Sequence, residues 1–213
     1  SYETPPCRGG VRVRTVTREP SARARDQTSQ AASGLDLLWD TVVIRLSGEI
    51  GVKSRPVRSR LERAAARHVR KTLERRGVLH GPITRSPGRV YVETPYSTTV
   101  GEALRKVFGI SSFSPARMAG SDLSEVISAS LQVAASALAP GCSFAVSCRR
   151  TGKHDYSSAD VQAKAGEAIL QRFREVGVKV NLSQPDVMVG VEVWNESAYV
   201  FTETYPGAGG MPY

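Results

Sequence analysis

The sequence is thin in the residues that do most redox, metal and acid–base chemistry. It has three cysteines and three histidines among 213 residues. Cys7, Cys142 and Cys148 form an odd set without metal-ligand spacing, which excludes the usual zinc arrangements. Cys142 and Cys148 pair at most with each other, and Cys148 falls in an alternating run that reads as a strand side chain. Free thiols in a reducing cytoplasm are the expectation. Long apolar runs are missing too, so no membrane span is expected. No apolar stretch follows a basic start, as a secretory signal would require. Acid is the scarce charge: 20 Asp and Glu stand against 29 Lys and Arg, giving a formal net charge of +9 and a pI of about 9.8. That excess is the footprint of a nucleic-acid binder or simply of a basic protein, and charge alone leaves both open.

Hydrophobic residues make up 40% of the chain, enough for a packed core. The length suits one large domain or two small ones. Residues 1–38 stand apart. There Arg8, Arg12, Arg14, Arg18, Arg23 and Arg25 alternate with Pro, Ser, Thr and Gln, and apolar content is low. This composition buries too little surface to offset ordering entropy, so the segment reads as a disordered basic arm, either a loose nucleic-acid tether, a start-site misassignment or an idle tail.

Order begins at Thr41–Leu46, a β-branched apolar run. A helix follows from about Ser54 to Arg76, with Ser54 as cap, Pro56 in the first turn and Gly77 as stop. Val57, Leu61, Ala64, Ala65, Val69 and Leu73 recur on it at helical spacing. The rest of the helix carries nine Lys and Arg against Glu62 and Glu74. Two acids cannot pair nine bases, which favours an external anion over a merely solvated face. Residues 83–85 and 89–93 read as two strands around Ser86-Pro87-Gly88. A helix is expected over 99–108, opened by a Thr99/Glu102 capping box, and a strand over 111–116. Residues 41–116 thus run β-α-β-β-α-β, the ferredoxin-like order.

A second α/β unit starts with another expected capping box, Asp122/Glu125, and a helix ending at Pro140-Gly141. A strand over 143–148 follows. A basic turn and a helix over 158–176, boxed by Ser157 and Asp160, come next. Residues 178–181, 187–193 and 198–202 read as strands, the last two forming a hairpin. Pro185-Asp186 reads as a structural turn. Residues 205–213, rich in Gly and Pro, read as a linker.

Residues 149–161 hold the strongest site signal. Arg149, Arg150 and Lys153 cluster where a strand gives way to a helix N-terminus, and that arrangement suits phosphate. His154 is a candidate for nucleic-acid contact or packing, and Tyr156 for stacking on a base or packing. Ser157 and Ser158 are helix caps first and phosphate donors second. Lys53, Arg55 and Arg58 rank next, at the start of the first long helix. Trp194, at the hairpin turn, suits either contact or partial burial.

The order of elements, together with RRTGKHDYSSADV, LSQPDVMVGVEVW and YPGAGGMPY, resembles the N-terminal half of the tRNA 4-thiouridine synthetases (tRNA sulfurtransferases). The turn carrying Glu49, Ile50, Lys53 and Ser54 is similar to that family's first turn. The resemblance covers residues from about 41 to 213. It implies an α+β chain with a ferredoxin-like βαββαβ domain at 39–118, a THUMP domain at 119–204 and a linker stub at 205–213 toward a PP-loop domain. It further implies that the chain positions the acceptor end of tRNA for thiolation of uridine 8, with thiamine biosynthesis as a related setting. No Ser-Gly-Gly-x-Asp-Ser phosphate loop occurs in the sequence, so no cofactor and no catalytic residue is expected within it. ATP, Mg2+ and the sulfur donor belong to the PP-loop domain, fused or in trans. A homodimer is a further implication. The rival expectations are a THUMP adaptor recruiting an acetyltransferase or methyltransferase, and a ferredoxin-like protein that binds no RNA.

Overall fold

The computed structural model describes residues 38–212. The basic arm expected at 1–38 therefore lies almost wholly outside the described residues. The first half comprises strand β1 (Thr41–Leu46), a short helix α1 (Gly48–Gly51), α2 (Arg55–Arg75), β2 (Ile83–Ser86), β3 (Arg89–Glu93), α3 (Ser97–Leu104) and β4 (Ile110–Gly120). The second half comprises α4 (Leu123–Ala137), β5 (Ser143–Thr151), α5 (Ser158–Arg172), a 3-10 turn (Arg174–Val176), β6 (Lys179–Val180), β7 (Val187–Trp194), β8 (Ser197–Phe201) and β9 (Tyr205–Gly209). The α+β class and the ferredoxin-like order are both present, with α1 as an unforeseen extra turn.

One strand joins the halves. The sheet runs β2-β3-β1-β4-β8-β7-β5-β6. The first part of β4 pairs with β1 and its last part, Arg117 to Gly120, pairs with β8. Within the second half β5 lies parallel to both β6 and β7. Such parallel pairs need crossovers, and α5 supplies one of them.

Alternation along the strands sets the two faces. Val42, Ile44, Val90 and Val92 point to the helices and build a core with Ala65, Val69 and Leu73 of α2. In the second half Phe144, Val189, Val191 and Val200 pack under α4 and α5 in the same way. The residues between them point to the helix-free side. There Val43, Tyr91, Ala116 and Tyr199 form a third cluster that spans both halves. Tyr91 and Tyr199 stack with centroids 4.3 Å apart.

Several local expectations change. Helix α3 begins two residues early, with Tyr96 at its N-cap and no Thr99/Glu102 box. Asp122 does stand at the N-cap of α4 but caps nothing with its side chain; Glu125 instead accepts the Gly120 N–H at 3.0 Å. The Ser157/Asp160 box is fully formed. Asp186 ties β7 to β5 by accepting from the Ser143 N–H and hydroxyl at 2.8 and 2.7 Å, and those bonds lower its pKa. Of the two described cysteines, Cys148 is free, whereas Cys142 is disulfide-bonded against the expectation of free thiols.

The largest departure is at the C-terminal end. Residues read as a linker return to the first half as β9, which pairs with β4 at Ile110, Ser112 and Phe113. Gly207 allows the approach: a Cβ there would meet the Ile110 carbonyl oxygen at 2.4 Å. Backbone cannot swing aside as a side chain can. Gly207→Ala is expected to lift β9 off β4 at a cost of about 1–3 kcal/mol. A lower urea midpoint and faster exchange of the Gly109 N–H, which donates to the Gly209 carbonyl at 2.8 Å, would register it.

Candidate nucleic-acid interface

Strand β5 runs on to Thr151, three residues past its expected end, and this splits the basic cluster. Arg149 and Arg150 are neighbours on a strand, so they point to opposite faces. Arg150 shares its face with Cys148, on the helix side. Its Nη1 donates to the Gly152 carbonyl at 3.2 Å and lies 3.1 Å from His154 Nδ1. His154 Nε2 is 2.6 Å from the Asn195 carbonyl oxygen. A carbonyl only accepts, so Nε2 carries the proton and Nδ1 accepts from Arg150. These bonds pin the turn after β5 to the β7–β8 hairpin, where Asn195 takes a positive φ of 50°.

The neighbouring candidates are also committed internally. The Tyr156 hydroxyl donates to the Ser121 carbonyl and its ring lies against His154. Ser157 holds Asp160 at the cap of α5. Ser158 hydrogen-bonds Cys148, yet burial still pushes that thiol up and disfavours a thiolate. Sequence placed Arg149, Arg150 and Lys153 in one anion site. The structure does not, because strand alternation removes Arg150 and turns it to holding a loop.

Arg149 finds other company. On the helix-free face it lines a small cleft with Pro87, Arg89, Glu192 and Trp194. Pro87 also borders a cleft of about 210 Å³ formed by Arg55, Arg58, Ser59, Glu62 and Arg85. On the other side Trp194 borders a shallow hollow containing Gly152, Lys153 and Asn195. A single cationic track thus leads from the N-terminus of α2, over the β2–β3 turn, to Arg149 and Lys153. It crosses from the first half to the second. Lys53, exposed just before α2, extends it.

The carboxylates along the track are largely spent. Glu62 is only 5% exposed and accepts the Gly88 N–H at 2.8 Å. Glu192 is held by Arg45 at 2.7 Å and Arg89 at 2.9 Å. Burial alone would raise its pKa, but the two guanidinium groups outweigh that and hold the carboxyl below its usual range. Arg45 also lies 4.7 Å over the Phe201 ring and donates to Ser114 Oγ. Among the described residues no ion pair engages Arg55, Arg58, Arg149 or Lys153.

Sequence reasoning missed Arg45, Arg85, Arg89 and Glu192. The signal was present as a charged residue in phase with the bare face of an apolar strand, at Arg45 in TVVIRL and at Glu192 in VGVEVW. Which strands face one another was not written there.

Comparison with known proteins fits this architecture. Residues 41–114 match the ThiI ferredoxin-like domain and residues 120–203 the THUMP domain. A probable tRNA sulfurtransferase of Halobacterium salinarum is 40% identical over 174 residues, 81% of this chain and 44% of the relative. The chain thus spans under half the length of such curated relatives. The crystal structure of PH1313 from Pyrococcus horikoshii superposes with a TM-score of 0.72 at 32% identity, over 81% of this chain and 57% of that one. A 4-thiouridine synthetase solved with RNA and bound ATP gives 0.66 at 26% identity, over 82% and 43%. Among the described residues no helix is long and apolar enough to cross a membrane.

Proposed function

The chain belongs to the proteins that join a ThiI ferredoxin-like domain to a THUMP domain, and from that premise we propose that it is the tRNA-holding part of a sulfurtransferase-like enzyme. It grips the acceptor end and presents uridine 8 to a PP-loop domain, carried in the same polypeptide or in trans. That domain brings ATP, Mg2+ and the sulfur chemistry, and the setting is the cytoplasm.

The observation that carries this reading is the track of Lys53, Arg55, Arg58, Arg85, Arg149 and Lys153, in which, among the described residues, only Arg85 meets a carboxylate, Glu62 at 3.8 Å. A line of separated cations suits a polyanion better than a small molecule, because each charge meets a different phosphate. The names of the curated relatives and the RNA complex of the similar synthetase support the choice of tRNA.

Filter binding of bulk tRNA tests it. Six phosphate contacts give a log–log salt slope of about −5, and an affinity loss of about 10³-fold between 50 and 200 mM salt. Binding that ignores salt, or no binding at 50 mM, would refute the reading.

A further inference from the structure

A second basic cleft lies away from that track. The C-terminal half of α2 and the segment after α3 enclose about 510 Å³. His68, Lys71, Arg75 and Arg76 line one side, and Lys106 and Phe108 the other. No carboxylate is among the lining residues, and no ion pair among the described residues engages these cations. The helix C-terminus accounts for some attraction of Arg75 and Arg76. It does not account for Lys106, which comes from another element.

Phe108 is the informative residue. Its ring is 60% exposed beside four fixed cations. Its backbone is anchored on both sides. Val107 before it is buried, and Gly109 after it is anchored twice: its N–H donates to the Gly209 carbonyl at 2.8 Å, and its carbonyl accepts from the Ser47 N–H at 2.9 Å. A largely exposed aromatic ring in a cationic hollow is the pairing by which proteins hold unstacked nucleotides, the ring taking a base and the cations the phosphates. A paired duplex has no free base face to offer such a ring.

We infer that this cleft binds an unpaired nucleotide of a single-stranded RNA segment, as a second contact about 30 Å along α2 from the Arg55 end of the track. The inference rests on the RNA-binding reading above and adds the strandedness of what is bound.

The test uses the full chain and a labelled single-stranded RNA octamer, followed by anisotropy, with a blunt RNA duplex of equal length and AMP as competitors. Phe108→Ala is expected to weaken octamer binding about 10-fold, and Phe108→Trp to restore it. Lys71→Ala with Arg75→Ala is expected to reduce the log–log salt slope by about 1.4. An octamer affinity unchanged by Phe108→Ala overturns the inference. So does competition by the duplex or by AMP as effective as that of unlabelled octamer. If tRNA binding remains strong while the octamer ignores Phe108, the cleft alone is wrong. If the unaltered chain binds no tRNA, the proposed function has failed instead.

Discussion

Glu192→Ala is expected to destabilise the chain by about 3–5 kcal/mol, the most of any single change at the junction. The carboxylate itself is not worth that much. What costs is the state left behind, in which Arg45 and Arg89, with side chains 14% and 16% exposed, face each other without a counter-charge. Glu192→Gln keeps the shape and one acceptor oxygen, so it should lose less. Replacing all three by apolar residues of similar size should return stability to near that of the parent, because no buried charge then remains. Urea unfolding of the three variants checks the order. Equal losses in Glu192→Ala and the triple replacement would show that packing, not charge, matters here.

The same carboxylate sets a pH dependence. Its folded pKa lies below the unfolded value of about 4.3, so its contribution is complete above that pH and disappears as pH falls through the folded value. Acid unfolding of Glu192→Gln should therefore begin from a lower stability but with a flatter slope below about pH 4. A slope as steep as the parent's would mean that other carboxylates govern acid unfolding.

This network also shows where sequence reasoning reached its limit. Each strand of the first half was legible because Val42, Ile44, Val90 and Val92 alternate cleanly, and α2 was legible from its apolar spacing and from Pro56 and Gly77. Boundaries governed by pairing were not. Arg149, Arg150 and Thr151 look like a turn in isolation, yet β7 offers partners as far as Trp194, and the ladder continues to use them. Likewise 205–209 carries too much Gly and Pro to announce a strand. It becomes one because β4 has a free edge there and Gly207 fits against Ile110. The candidate site was half legible. Local composition located Arg55, Arg58, Arg149 and Lys153, but grouping them required knowing that β3 and β7 meet on the helix-free face. Arg150 was misgrouped for the same reason, since a shift from turn to strand reverses the side to which one neighbour points.

That misgrouping supplies a sharp contrast between variants. Arg55→Ala, Arg58→Ala and Arg149→Ala together are expected to lower tRNA affinity on the order of 10²-fold near 0.1 M salt and to reduce the log–log salt slope by about 3. The loss should be similar across tRNA sequences, because phosphate contacts carry no base information. Circular dichroism should match that of the parent, since Arg55 and Arg149 are exposed and Arg58 makes no side-chain hydrogen bond or ion pair among the described residues. Arg150→Ala should behave differently. It frees the Gly152 carbonyl and His154 and loosens the turn, but removes no charge from the track, so the salt slope should barely move. The two arginines are adjacent in sequence and identical in charge, so only the face each occupies can separate their effects. An equal slope change for Arg149→Ala and Arg150→Ala would mean that RNA approaches from the helix side, and the track over Pro87 would have to be abandoned.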